Sequence, residues 1–562
     1  GPLRPKLVQI AIDDHITVGD VNGLMRIILI IGAVLVGEGI LSFGLGYLTA
    51  WIGQNSLYDL RRAVFGHIQK QRLSFFDRTP IGRLITRTTS DIEALNQLLS
   101  AGVVTILGDL ARLFFIGYFM FALNVELALV ALLALPPMMW AMNYFRIKMR
   151  EAYRETRKQV ARLNSFLQEH VTGMKVVQLF NREREEMRRF EDINDLHRKA
   201  HIKTILYFAL IWPTVDLIAT VALGLVLWYG GVEAMQETLT IGTLIAFIQY
   251  VRLFFEPVRN LSDQLNTLQG AMAASERVFD VLDTDTELEE LDNPMPMPEC
   301  KGRIEFRNVS FAYERLPLPE GAPEGFEPDW NWVLRDVSFV AEPGNTMALV
   351  GATGSGKTTI ISLLLRFYEV QEGQILVDGV DIRNYRLAEL RRHIGLVLQD
   401  VFLFSGSVEE NITLGDPDKS MADVERAAKL VGADAFIRKL PGAYQYDVRE
   451  RGQTLSHGQR QLISFVRTLV YDPTILVLDE ATSSVDTETE ELVQHAIDVL
   501  MEGRTSLVVA HRLSTIQHAD QILVLHKGVI RERGNHQELL SQDGLYRRLY
   551  ELQFAAQERA AA

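Results

Sequence analysis

Five apolar runs precede residue 256: Met25–Trp51, Val103–Leu123, Leu127–Tyr144, Ile205–Tyr229 and Leu239–Phe255. Crossing ~30 Å of hydrocarbon takes about 20 mostly apolar residues, so each run spans a bilayer or nearly does. The competing reading, buried core helices of a large soluble protein, fails on the charges between the runs. Residues 52–100 carry seven Lys and Arg and residues 146–204 carry fifteen, whereas Asn124–Glu126 and Gly230–Thr240 carry none. Basic connections stay in the cytoplasm, which puts the two long segments inside and the two short ones outside. This half therefore reads as an all-α transmembrane domain with long cytoplasmic helical extensions.

Parity adds an expectation. With the segment after Phe255 in the cytoplasm, five spans leave the start of the chain outside, and the acidic stretch Ile12–Gly23 (Asp13, Asp14, Asp20) suits that side. A sixth span is expected upstream, represented only by its end, Gly1–Ile12. The cytoplasmic segments, folded back as antiparallel pairs of about 25 residues, would reach ~35 Å below the membrane. Their turning points are expected at Phe75–Gly82 and around Val171–Gly173. Charges inside spans are costly and call for a reason. Glu38 has two readings, a residue facing a polar transport cavity or a structural hydrogen bonder. Asp109 and Arg112, three apart on one helical face, are expected to neutralise each other.

The average composition hides a second, unlike half. The 562 residues are 48% hydrophobic, with 57 basic against 71 acidic side chains, a net charge of −14. That balance argues against a general nucleic-acid binder. The single cysteine, Cys300, excludes an intrachain disulfide framework and a multi-cysteine zinc site. A polar, proline-broken linker, 286–300, separates a transmembrane domain, 1–285, from an α/β domain, 301–562, in which strand-like and helical runs alternate.

Within the α/β domain the strand Thr346–Val350 leads into Gly351-Ala-Thr-Gly-Ser-Gly-Lys-Thr358, and Thr359–Phe367 reads as a helix. This is the P-loop pattern in its strand, loop, helix setting. Its glycines let backbone N–H groups wrap a phosphate chain, Lys357 neutralises terminal charge and the Thr358 hydroxyl suits Mg²⁺. A second apolar strand, Thr474–Leu478, ends in Asp479-Glu480. Asp479 is placed to hold Mg²⁺ and Glu480 to polarise an attacking water. Between them Leu455-Ser-His-Gly-Gln459 opens a helix whose N-terminus offers free N–H groups to an anion.

Taken in order, these motifs resemble a half-transporter of the ATP-binding cassette (ABC) exporter type, over residues 1 to about 555. Tyr313 stands where the family has its adenine-stacking aromatic, Gln399 matches the Q-loop, Arg449–Gly452 with Glu450 the exporter X-loop, Ser483–Asp486 the D-loop and His511 the switch histidine. The resemblance implies ATP and Mg²⁺ as cofactors, with Tyr313, Gly351, Thr353, Gly354, Ser355, Gly356, Lys357, Thr358 and Thr359 on the nucleotide. It implies Thr358, Gln399 and Asp479 on the metal, and Glu480, His511 and Gln399 in catalysis. It also implies a head-to-tail dimer in which Leu455, Ser456, His457, Gly458 and Gln459 complete the partner's site. The hairpin tips, with Phe76, Asp77, Gly82, Val171 and Gly173, would be coupling helices, and Glu450 would join in coupling.

Two departures stand out. His457 replaces the signature's usual glycine, which puts hydrolysis in the partner's site in doubt. Glu314–Trp332 is an acidic, proline-rich insertion, read as a solvated surface loop. A homodimer is favoured because every hydrolytic residue this chain itself supplies is present; a heterodimer with a degenerate half is the alternative. The expected protein is a bacterial plasma-membrane exporter of a hydrophobic or amphipathic drug, lipid or peptide, in contact with membrane lipids and not with nucleic acid. An ATP-gated channel is the second reading, and a soluble chromosome-structuring ATPase is disfavoured by the spans.

Overall fold

The computed structural model describes residues 1–98, 102–284, 291, 293–297, 299–316, 329–479, 487–510 and 513–553. It divides into two compact units, Gly1–Gln69 with Ile81–Asp285, and Lys70–Pro80 with Thr286–Ala562.

In the first unit, α1 (Leu3–Ile10) runs through a π-helical turn, Ala11–Ile16, towards α2 (Val21–Lys70). The short α3 (Leu73–Arg78), α4 (Ile81–Thr86) and α5 (Ile92–Gln97) follow. Then come α6 (Val103–Leu123), α7 (Val125–Leu132), α8 (Leu135–Thr172), α9 (Met174–Leu179), α10 (Glu183–Met235) and α11 (Ile241–Leu282). Among the described residues five helical stretches are long and apolar enough to cross a membrane: Val21–Lys70, Val104–Leu123, Val125–Thr172, Glu183–Met235 and Ile241–Val258. Each contains one of the expected spans or all but its first one or two residues. Spans and cytoplasmic extensions are the same helices, since α2, α8 and α10 run without a break from apolar into charged sequence. The expected span Leu127–Tyr144 is broken between α7 and α8, because Pro136 and Pro137, in the first turn of α8, have no N–H for the carbonyls of the turn before.

The hairpins turn where the sequence predicts. The first uses α3, closed by the extended Arg72 and Thr79; the second caps α8 at Gly173, whose N–H donates to Glu169 O at 2.8 Å. His170 staples that second tip: Nε2 meets Glu186 Oε2 at 2.9 Å and Nδ1 meets Phe166 O at 2.8 Å. Further in, Thr156 of α8 and Thr204 of α10 share a buried hydrogen bond of 3.0 Å. At the outer side Asp13 caps α11, accepting from Gly242 N at 2.8 Å and from Thr240 Oγ1 at 2.6 Å. A Cβ on Gly242 would lie 2.6 Å from that carboxylate, so only glycine permits the cap.

The expected Asp109–Arg112 neutralisation does not occur. Asp109 is buried, its Oδ2 has no hydrogen-bond partner, and no ion pair joins it to Arg112 among the described residues. Arg112 instead lines an open cavity with Glu38 and Glu256, because helix packing covers the Asp109 side of that face and leaves the Arg112 side open.

The second unit builds β1 (Ile304–Arg315), β2 (Trp330–Ala341), β3 (Thr346–Val350) and α12 (Lys357–Leu364). It continues with β4 (Glu372–Val377), β5 (Val380–Asp381), α13 (Leu387–Arg392), β6 (Ile394–Val397), α14 (Val408–Thr413), α15 (Met421–Val431) and α16 (Asp434–Ile437). After these come α17 (His457–Tyr471), β7 (Ile475–Asp479), α18 (Thr487–Met501), β8 (Thr505–Val509), α19 (Leu513–Gln517), β9 (Gln521–His526) and β10 (Val529–Gly534). One sheet is antiparallel, in the order β2-β1-β4-β5. The other, β10-β9-β3-β8-β7-β6, is parallel from β9 to β6. Leu349, Val477 and Leu507 pack with α12 residues Ile360 and Leu364 in one core; Ala348, Leu476 and Val508 join α17 and α18 in a second. β1 runs on to Arg315 and β2 begins at Trp330, so both ends of the expected loop Glu314–Trp332 are strand, with the Arg315 guanidinium 4.6 Å from the Trp330 ring centre. Residues 317–328 of the insertion lie outside the described residues.

Candidate nucleotide site

The parallel sheet delivers the P-loop. β3, hydrogen-bonded on both sides, ends at Val350, and Gly351–Gly356 turns into α12. Gly354 and Gly356 hold φ of 78° and 104°, which side-chain-bearing residues rarely adopt. A Cβ on Gly356 would also sit 2.5 Å from Leu334 Cδ2. Lys357 is buried and folds back over the loop, donating to Gly351 O at 2.7 Å and Ala352 O at 3.1 Å. Burial holds its pKa below the ordinary lysine value, and the Asp479 carboxylate at the end of β7 opposes that shift. The buried Ser355 hydroxyl has no partner. An orphaned donor, a confined ammonium group and exposed Thr353, Gly354 and Thr358 make a cradle that suits a polyphosphate.

Beside the loop stands an aromatic cluster. Tyr313, on β1, is 41% exposed, and its ring packs edge-on against Phe311 at 4.9 Å and Tyr368 at 5.0 Å. Its hydroxyl lies 3.1 Å from Thr359 Oγ1, which ties the ring to the first turn of α12. The tip α3 touches the same cluster: Arg78 Nη2 donates to Tyr313 O at 3.2 Å, and the Tyr368 hydroxyl donates to the Asp77 carboxylate. Tyr368 carries no motif, so sequence reasoning missed it, the aromatic pair Phe367-Tyr368 after α12 being its only signal; Arg78 lies inside the expected tip Phe75–Gly82. Phe76 is half-buried in α3, while Gly82 falls in α4.

At the signature Ser456 caps α17. Its hydroxyl accepts from Gln459 N at 3.2 Å, and Gln459 Oε1 accepts from Ser456 N at 3.0 Å, a reciprocal capping box. Leu455 and Gly458 are buried, His457 is half-buried and Ser456 is exposed. Arg460, also missed, braces the turn by donating to Leu455 O at 2.9 Å. No hydrogen bond or ion pair links the Leu455–Gln459 turn to the P-loop among the described residues. Glu450 sits between Arg449 and Arg451, both at positive φ (57° and 54°), so this turn is strained. Gln399 is exposed just after β6. Val171 is exposed at the second hairpin tip. Glu480, Ser483–Asp486 and His511 lie outside the described residues. Glu38 lines a cavity of about 410 Å³ in the membrane unit with Arg4, Arg112, Arg252 and Glu256.

Comparison with known proteins decides the family. Residues 1–258 match the ABC transporter transmembrane region and residues 334–483 the ABC transporter family. A probable multidrug resistance ABC transporter ATP-binding/permease protein of Bacillus subtilis (strain 168) is 39% identical over 542 residues, 95% of this chain and 77% of that protein. The chain is an ABC transporter. An uncharacterized ABC transporter ATP-binding protein of the same organism is 40% identical, over 90% of this chain and 81% of its own length. The ATP-dependent lipid A-core flippase of Syntrophus aciditrophicus (strain SB) is 37% identical over 98% of this chain and 89% of that protein. The transporter also superposes on a bacterial Atm1-family ABC exporter with ATP bound, at a TM-score of 0.76 and 27% identity, covering 98% of this chain and 96% of that one. It is therefore an exporter-type integral membrane protein with a cytoplasmic ATPase domain that binds ATP and couples its hydrolysis to transport.

Proposed function

We propose that the transporter exports an amphipathic or hydrophobic substrate by alternating access, as one half of a head-to-tail dimer. The carrying observation is that the tip of the α2 hairpin belongs with the ATPase unit and touches Tyr313 and Tyr368 beside the P-loop. Nucleotide arrival at Tyr313 and Lys357 then bears directly on a membrane helix. In this reading Ser456 and Gly458 of one chain close over ATP held by the P-loop of the other, and free N–H groups at the start of α17 meet the γ-phosphate. Glu480 polarises the attacking water and His511 holds it; Gln399 senses the occupied site, and Glu450 and the second tip, at Val171 and Gly173, carry the motion. Thr358, Gln399 and Asp479 would hold Mg²⁺, which when bound neutralises phosphate charge. Homologues named for multidrug resistance and for lipid A-core flipping support a substrate with a large apolar part.

Replacing Glu480 with Gln is expected to preserve ATP binding and lower turnover roughly 10²–10⁴-fold, the usual contribution of a general base. Wild-type turnover in that variant would reject the assignment. In inverted vesicles, ATP-dependent accumulation against a gradient supports export, whereas flux that only ever runs downhill would favour a gated channel.

A further inference from the structure

We propose that His170 is a positioning residue that orders the second hairpin tip only while its ring holds two protons, so that the tip, and the coupling it carries, is fixed at acidic and neutral pH and released at alkaline pH. The proposal rests on the exporter reading, in which that tip carries motion, and adds the group that controls it. The imidazole stands between two acceptors. Nδ1 lies 2.8 Å from Phe166 O on its own helix, and Nε2 lies 2.9 Å from Glu186 Oε2 on α10. A backbone carbonyl only accepts, so Nδ1 carries a hydrogen. The Glu186 carboxylate also accepts from Arg189 Nη1 at 3.1 and 3.2 Å. Against the opposing effect of burial, His170 and Arg189 hold that carboxyl below the ordinary glutamate value, so it is ionised and Nε2 carries a hydrogen as well. Only the imidazolium satisfies both partners. Nor is the ring free to turn to water: it stacks on Phe166 with 3.8 Å between centroids, and Phe166 packs at 6.2 Å against Phe190 of α10.

A histidine that only packs needs one such bond. His393 and His495 each use a single ring nitrogen, on Met297 O and Leu430 O, and a neutral ring supplies that. His170 also lies in the last turn of α8, where unpaired carbonyls favour a cation. The Phe166 carbonyl raises its pKa above the ordinary histidine value, burial opposes the rise, and Glu186 adds to it. The other charges around the ring are Glu169 beside it on α8, which also favours the cation, and the exposed Lys175 of α9 and Arg182 before α10, which make no ion pair among the described residues. A raised pKa gives stability that is complete below the unfolded value, near 6.5, and is lost as pH rises through the higher folded value. Loss of either proton then sets a ring lone pair against an acceptor, and the staple opens. Nothing stands in for it: among the described residues the next side-chain bond between α8 and α10 is Thr156 with Thr204, ~21 Å back along α8. At six residues α9 is too short to hold itself.

The test is hydrogen exchange, read by mass spectrometry on full-length transporter in nanodiscs with and without ATP and vanadate, from about pH 6 to about pH 9 and corrected for intrinsic amide rates. Protection of residues 171–182 should fall roughly three- to tenfold across the upper part of that range in wild type, as one partly exposed charge-assisted hydrogen bond is lost. His170→Gln, which does not titrate, should show no such step. Glu186→Gln keeps an acceptor and removes the charge, so its midpoint should move down towards the ordinary histidine value, a shift that lost packing does not give. Coupling is read in the same data as the response of the outer connection, 230–240, to vanadate trapping; it should shrink over the same pH range in wild type and stay constant in His170→Gln. Wild-type protection that ignores pH overturns the proposal, and so does a midpoint unmoved in Glu186→Gln. An outer response that persists after tip protection is lost overturns it as well. If the outer connection never responds to trapping while the tip still titrates, the exporter reading itself fails and the coupling role falls with it.

Discussion

Tyr313 shows how much one side chain depends on neighbours no motif announces. Its ring is open on one face, buttressed edge-on by Phe311 and Tyr368, and anchored through its hydroxyl to Thr359. Stacking of a base on such a ring contributes ~1–3 kcal/mol. Tyr313→Ala is therefore expected to raise the apparent KM for ATP about five- to a hundredfold, while Tyr313→Phe, which keeps the ring and loses one hydrogen bond, stays within about tenfold. ATPase titrations of both variants check this. The P-loop glycines and Lys357 were legible in sequence because their constraint is local: positive φ at Gly354 and Gly356 and a phosphate-sized turn follow from chain geometry. Tyr368 and Arg460 were not, since each acts on residues far from it in sequence or on backbone carbonyls, which no residue type betrays.

Among the elements, α3 is six residues long and too short to stand alone, so its conformation comes from what it touches. Asp77→Ala removes the acceptor for Tyr368 and is expected to lower the ratio of substrate-stimulated to basal ATPase towards one, with basal turnover kept. An unchanged ratio would show that this contact carries no coupling. A second clamp, in the membrane unit, joins the turn before α5 to α11. Asp91 accepts from Arg277 at 2.5 and 3.2 Å and from Arg87 at 2.6 Å. Arg277 first, and then Arg87, holds the Asp91 carboxyl below the usual aspartate range. A depressed carboxylate contributes stability at pH above its unfolded value, near 4, and loses it as pH falls through the lower folded value. Asp91→Asn should thus cost about 1–3 kcal/mol at neutral pH, with the difference narrowing below about pH 4. Thermal unfolding of both proteins across that range in detergent measures it. Element identity was read correctly from composition for all five spans; the α7–α8 break was missed because hydropathy counts Pro136 and Pro137 as tolerable and backbone hydrogen bonding does not.

For the whole molecule, the exporter reading requires two chains, because among the described residues the α17 N-terminus makes no hydrogen bond or ion pair to its own P-loop. If the dimer is a homodimer, chains carrying Lys357→Ala and chains carrying Ser456→Arg should each be inactive alone. Co-expressed, they should recover roughly a quarter of wild-type ATPase, since random pairing makes half the dimers mixed and each mixed dimer has one intact site. No recovery, with both chains folded and co-purified, would exclude shared sites.

The sequence by itself determined the two halves, the spans, the hairpin tips and the phosphate loop. Each follows from short-range physics: solvent matching over about 20 residues, charge on one side of a bilayer, and backbone freedom at glycine. Only the tertiary structure decided that Asp109 and Arg112 part company and that α3 belongs with the ATPase unit. Those outcomes depend on which face of each helix another helix covers, and that is set by packing between residues far apart in the chain.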